Sequence, residues 1–132
     1  MTYAATVIGA TGAVGEALVR ELLTSAACTR VVALVRRQVD FFATARGSEK
    51  LQFHVVNFRD TENATRQHAA GCDVAFCTMG IGQPRKATHE EVHRVDVEYA
   101  GAFARGAAAA GASHISLLSS VGADPASRAR YL

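Results

Sequence analysis

The apolar residues of this chain fall into five short runs that are typical of buried β-strands. The first run, from Tyr3 to Ile8, is bounded by Gly9, and the later runs are also rich in strand-forming residues. A short apolar run bounded by turn residues predicts a buried strand. We therefore predict strands over residues 3–8, 30–35, 51–56, 74–78 and 114–119.

Helical spacing appears between these runs. Val14, Leu18 and Leu22 recur at intervals of four, which predicts an amphipathic helix. Gly71 and Gly111 each follow a helical pattern at the position where glycine commonly ends a helix. We predict helices over residues 13–25, 38–46, 60–70 and 88–110.

The alternation of strands and helices predicts a single α/β domain over residues 1–132. Strands that alternate with helices form βαβ units and a mainly parallel sheet, and such strands are apolar because both of their faces are buried. We predict a doubly wound parallel sheet of the Rossmann type, with strand order 3-2-1-4-5 and an end after the fifth strand.

Composition excludes several classes of protein. The 132 residues are 49% hydrophobic and 20% charged, with a formal net charge of +2, which is ordinary for a globular domain. We find no apolar run long enough for a membrane helix and no basic segment with interleaved aromatic residues, so we expect neither a membrane nor a nucleic acid as partner. Cys28, Cys72 and Cys77 form no pairing pattern, which favours reduced thiols and a cytoplasmic location.

The strongest chemical signal is the glycine-rich turn from Gly9 to Gly15, with the pattern G-x-x-G-x-x-G. It follows the first strand and opens the first helix. Glycines allow the backbone to approach a pyrophosphate, and the N–H groups at the helix start bind anions, so we predict a dinucleotide site rather than a purely structural turn. Thr11 offers either a hydroxyl contact to the ligand or a helix cap.

Two arginines end the second strand. NAD-selective folds usually carry an acidic residue there, whereas this chain has Arg36 and Arg37. Guanidinium groups attract a 2′-phosphate, so we predict a preference for NADP(H), with NAD(H) still possible. The alternative is a solvated basic strand end.

Together these features resemble the atypical short-chain dehydrogenase/reductase superfamily, and within it the NmrA-like group and its Tat-interacting oxidoreductase branch. Beyond the glycine turn, the resemblance rests on residues 34–37, 73–77, 94–96 with Tyr99, and 117–124. It covers nearly the whole chain, with the motifs in the same order.

The resemblance implies a role for each group of site residues. The pyrophosphate would be held by Gly9, Thr11, Gly12, Ala13, Val14 and Gly15, and the 2′-phosphate by Arg36 and Arg37. Asn57 and Phe58 would lie beside the adenine, and the family usually has aspartate at the position of Asn57. The adenosine and ribose side would be lined by Thr78, Met79 and Gly80.

The resemblance also implies catalysis by hydride transfer to or from a small carbonyl or alcohol. Ser119 or Ser120 falls at the catalytic serine, and Tyr131 at the catalytic tyrosine. The family's lysine would follow four residues after Tyr131, past the last residue, Leu132. A tyrosine without it titrates near 10, so we expect this 132-residue chain to bind cofactor but to catalyse poorly, as the cofactor half of a longer reductase.

Two other functions use the same core. One is a regulator that senses a dinucleotide or binds a protein partner without turnover, and the other is an epimerase-like protein that acts on a nucleotide sugar. An end after the fifth strand would expose a sheet edge, so we also expect self-association into a homo-oligomer.

Three further features have plainer interpretations. The segment from His89 to His93 reads H-E-E-V-H and matches a zinc-protease pattern, but it opens a crossover helix and we interpret it as a solvated helix face rather than a metal site. Cys77 is interpreted as a small buried residue. Tyr99 is interpreted as a packing residue of the long helix.

Overall fold

The chain folds around one five-stranded parallel sheet. The computed structural model describes residues 1–40, 42–79, 88–119 and 126. The sheet order is β3-β2-β1-β4-β5, and each neighbouring pair is parallel, so the predicted topology is confirmed. The strands are β1 (Tyr3–Ile8), β2 (Cys28–Val35), β3 (Leu51–Val55), β4 (Val74–Cys77) and β5 (His114–Leu117).

Helices cover both faces of the sheet. The first is α1 (Ala13–Thr24) and the second is α2 (Thr61–His68), which follows a 3-10 turn over Phe58–Asp60. The predicted long helix is present from residue 89 to 109, but its middle is π-helical. We call its parts α3 (His89–His93), the π segment (Arg94–Tyr99) and α4 (Ala100–Ala109).

Two apolar layers hold these elements together. On one face of the sheet, Val7 and Val31 pack with α1 residues such as Val19. On the other face, Val32 and Leu34 pack against Phe103 of α4. Fully burying a side chain of this size stabilises a fold by about 1.5–3 kcal/mol, so these two layers fix the helices relative to the strand ends.

Residues 38–46 do not form the predicted helix in their described part. The chain turns at 42–47 and then makes a 3-10 turn over Ser48–Lys50. Phe42 is only 1% exposed and packs on Phe53, with ring centroids 5.9 Å apart. This contact binds the segment to β3, and Gly47 has a φ of +84° next to the Leu23 carbonyl, a conformation that ends any helix here.

Strand β5 lies at one edge of the sheet and is poorly covered. Leu117 is 60% exposed, Leu118 48% and Ile115 38%. Within the described part of the chain, no strand pairs with its outer edge. No described helix has both the length and the apolar character needed to cross a bilayer.

We expect this edge to support self-association, because exposed leucines next to unpaired backbone groups favour strand pairing. Leu117→Lys should lower the mass measured by light scattering at high protein concentration. Val55→Lys, at the opposite edge strand, is the matched control, since Val55 is 54% exposed. The expectation would be contradicted if the wild-type chain stays monomeric, or if only Val55→Lys lowers the measured mass.

Two histidines stack near the other edge of the sheet. The rings of His54 on β3 and His68 at the end of α2 are 4.0 Å apart and nearly parallel. Partial burial, together with the nearby charges of His68 and Arg30, lowers the pKa of His54 below its ordinary value of 6.5. The unfolded chain therefore takes up this proton more readily than the folded chain does.

The free energy of unfolding should consequently fall on acidification. The contribution of His54 is fully present above the unfolded pKa near 6.5 and is lost as the pH falls through its lower folded value. Urea unfolding between pH 8 and pH 5 (roughly the window of histidine titration) measures this loss. His54→Phe keeps a ring against His68 but removes the proton site, so it should weaken the dependence of the free energy of unfolding on pH. An unchanged dependence would disprove the contribution of His54.

Candidate functional site

A cleft lies at the carboxyl ends of β1, β2 and β4. Its volume is about 370 Å³. In doubly wound sheets this edge, where the strand order reverses, is the place where ligands bind. The cleft is lined by Gly9, Ala10, Thr11, Gly12, Leu34, Val35, Arg36, Arg37, Phe58, Thr78, Met79, Val95 and Tyr99.

Glycine is present at the three positions of the turn for different physical reasons. Gly9 has a φ of +91°, and a Cβ on it would lie 2.6 Å from the Met79 nitrogen. A Cβ on Gly15 would lie 1.9 Å from the Gly9 carbonyl oxygen, so α1 can approach β1 only without one. A Cβ on Gly12 would meet only that same oxygen, at 3.6 Å, which is an ordinary contact. The fold therefore requires glycine at 9 and 15, whereas at 12 the absent Cβ leaves room for a ligand.

The N-cap residue of α1 lies in the lining of the cleft. Gly12 is the N-cap, its carbonyl oxygen accepts the Glu16 N–H at 2.8 Å, and no side chain caps the helix. Thr11 is therefore not the cap; its exposed side chain lines the cleft instead. The unpaired N–H groups and positive dipole end of a helix favour a bound anion.

Thr78 ties the glycine turn to the end of β4. Its hydroxyl donates to the carbonyl oxygens of Ile8 at 3.2 Å and Gly9 at 3.0 Å. Its backbone N–H donates to the same Ile8 oxygen at 3.0 Å. These bonds hold two strand ends together at the floor of the cleft.

An aromatic pair forms the wall opposite the turn. The Arg36 guanidinium lies 6.0 Å from the centre of the Phe58 ring, and the Tyr99 ring meets Phe58 edge-on at 5.8 Å. Asn57 holds the turn that presents Phe58, since its side-chain oxygen accepts the Arg59 N–H at 3.0 Å. Asn57 is exposed and is not among the residues that line the cleft.

The structure brings most of the predicted cofactor residues together, but not all of them. Ala13, Val14 and Gly15 lie in the first turn of α1 rather than in the lining, and Val14 is 52% exposed. Ser119 is exposed, two residues beyond β5, and does not line the cleft. The remaining predicted residues, Gly80, Ser120 and Tyr131, lie outside the described residues.

Sequence reasoning missed the contribution of the long helix to the cleft. Val95 and Tyr99 line it, although Tyr99 was expected only to pack. The signal was available in part, because an aromatic residue four positions after a valine marks one helix face. That this face meets Phe58 depends on the tertiary fold.

The two glutamates of the H-E-E-V-H segment have structural partners. Glu91 forms a capping box with Thr88, in which its carboxylate accepts the Thr88 N–H at 2.9 Å and its N–H donates to the Thr88 hydroxyl at 3.0 Å. Glu90 pairs with Arg94 at 3.2 Å. In the described parts of the chain, no group of three metal-ligating side chains comes together.

The glycine geometry predicts two different outcomes for the same substitution. Gly15→Ala should lower the free energy of unfolding strongly, because its Cβ would overlap the Gly9 carbonyl. Gly12→Ala should cost no more than about 1 kcal/mol, which is the scale of changes at a helix N-cap. Chemical denaturation of both variants measures the difference; equal losses would contradict the assignment of separate roles.

Comparison with known proteins agrees with this geometry. The sequence profile of a family described as NAD(P)H-binding matches residues 9–131. Protein HTATIP2 of Rattus norvegicus is 34% identical over 126 residues, which are 96% of this chain and 50% of that protein. The chain thus spans about half the length of this relative.

Solved structures share the fold. A mutant of uronate dehydrogenase from Agrobacterium tumefaciens, complexed with NAD, superposes with a TM-score of 0.69 at 22% identity, over 91% of this chain and 42% of that one. MoeE5, in complex with UDP-glucose and NAD, gives a TM-score of 0.69 at 20% identity, over 89% of this chain and 36% of that one. The resemblance to the NmrA-like, Tat-interacting branch is confirmed, and this chain belongs to the NAD(P)H-binding family of oxidoreductase-like Rossmann domains.

Proposed function

We propose that the cleft binds NADP(H) in preference to NAD(H), as the cofactor domain of an oxidoreductase that acts on a small carbonyl or alcohol. The observation that carries this proposal is that Gly12, the N-cap of α1, lines the same cleft as Arg36 and Arg37. Such a site places one anion-binding group at the pyrophosphate and a second at the 2′-phosphate of the same ligand.

The described residues fit this cofactor. The space beside Gly12, which a Cβ would fill, admits a pyrophosphate close to the backbone. Phe58, Met79 and Val95 offer apolar surface to a flat base. Bound there, the cofactor would supply or accept a hydride, while the protein holds the phosphates and orients the base.

Chemistry on the substrate is proposed for Ser119 or Ser120 and for Tyr131. One of these serine hydroxyls, in the segment that follows β5, would donate a hydrogen bond to the substrate oxygen. Tyr131 would exchange the proton with that oxygen as the hydride moves. The substrate itself would be a small molecule.

A second candidate is a dinucleotide sensor that does not turn its ligand over. The observation in its favour is that the cleft is lined by residues 9–12, 34–37, 58, 78–79, 95 and 99, whereas Ser119 takes no part in it. Oxidation of NADPH in the presence of a small aldehyde or ketone, followed by absorbance, distinguishes the two functions, because only the oxidoreductase transfers the hydride to the carbonyl and consumes the reduced cofactor.

Calorimetric titration with NADPH and NADH tests the cofactor proposal. The double variant Arg36→Ala/Arg37→Ala should lose at least about tenfold in NADPH affinity and much less for NADH, because charge-assisted bonds to the 2′-phosphate are absent. Arg46→Ala/Arg66→Ala removes the same charge from exposed positions that do not line the cleft and is the matched control. Equal losses for both nucleotides would contradict a phosphate clamp.

A further inference from the structure

Three side chains that line the cleft lie one against the next, in the order Arg36, Phe58 and Tyr99. The Arg36 guanidinium faces the Phe58 ring at 6.0 Å, and the Tyr99 ring supports Phe58 edge-on at 5.8 Å. Arg36 itself is exposed at the end of β2. The Phe58 ring thus contacts the Arg36 guanidinium and, edge-on, the Tyr99 ring.

Tyr99 lies in a helical segment whose two flanking helices are anchored. It ends the π segment, which lies between two anchored helices. On one side, the Thr88–Glu91 capping box fixes the start of α3, and Val92 is only 4% exposed. On the other side, Phe103 of α4 is completely buried. Local π-helical turns occur frequently at functional sites, and here the turn ends at the wall of the cleft.

A second cavity lies on the outer side of the aromatic pair. This outer groove has a volume of about 450 Å³ and is lined by Phe58, Arg59, Arg94, Glu98, Tyr99 and Ala102. Phe58 and Tyr99 are the residues common to the groove and the cleft. Because both rings line this groove, removal of the Tyr99 ring would take away the edge-on contact of Phe58 and enlarge the open space beside it.

We propose that Tyr99 is a positioning residue that sets the preference for the 2′-phosphate. Tyr99 holds Phe58, and Phe58 holds the Arg36 guanidinium over the cleft, so that less side-chain entropy is lost when Arg36 binds the phosphate. This inference rests on the proposed function, because it assigns a selectivity residue to the same site.

The test is the ratio of NADPH to NADH affinity, measured by calorimetry. Tyr99→Ala should lower this ratio by about threefold or more, the scale of a single cation–π contact. Tyr99→Phe keeps the ring edge and should retain the wild-type ratio. Val97→Ala, in the same π segment at a side chain that is 55% exposed, is the matched control. If Tyr99→Ala fails to fold by circular dichroism, Tyr99→Leu takes its place, with the same expected fall.

Coupling to Arg36 separates positioning from a general effect on the cleft. In an Arg36→Ala background, Tyr99→Ala should no longer change the ratio, since the two residues act as one unit.

An unchanged ratio in the wild-type background, or an equal loss for both nucleotides, would overturn the inference. If the wild-type protein prefers NADPH and Tyr99→Ala leaves the ratio of NADPH to NADH affinity unchanged, only this inference is refuted. A wild-type protein that binds neither nucleotide would refute the proposed function with it.

Discussion

The close approach of α1 to the end of β1 is the constraint on which the cleft depends. The Gly9 carbonyl lies where a Cβ on Gly15 would be, so the first helix starts directly against the backbone of the first strand. This contact places the N-terminus of the helix, where backbone N–H groups lack intrahelical partners, next to the carboxyl end of β1. The Thr78 hydroxyl then fixes the same carbonyl to the end of β4, and the turn, the helix start and the strand end become one unit.

Charge and apolar surface are separated within this unit. The helix N-terminus and the arginines after β2 provide positive potential at two places, and Phe58, Met79 and Val95 lie among them. The proposed ligand NADP(H) carries a pyrophosphate and a 2′-phosphate at two separate positions of its adenosine, beside the flat base. The chemistry of the lining thus agrees with the family that the sequence matches over residues 9–131.

The sheet was predictable because parallel strands are buried on both faces and read as short apolar runs between turn residues. The positions of the glycine turn and of Arg36 and Arg37 at the ligand-binding edge were predictable, because each directly follows a strand that the sequence reveals. Residues 38–46 were predicted wrongly, since the burial of Phe42 against Phe53 is a tertiary contact that local spacing does not report. The approach of Tyr99 to Phe58 was missed for the same reason. The π segment was missed because an α-helix and a π-helical turn have the same apolar pattern over so short a stretch.

The most direct test of the account is the map of backbone amide shifts in the isotope-labelled protein on addition of NADPH. The account predicts that the largest shifts fall in the glycine turn at residues 9–12, at Arg36 and Arg37, and at Thr78 and Met79, because these groups would line the bound cofactor. Shifts centred elsewhere, such as at the stacked pair His54 and His68, which do not line the cleft, would contradict it. So would an unchanged spectrum at a saturating concentration of the nucleotide.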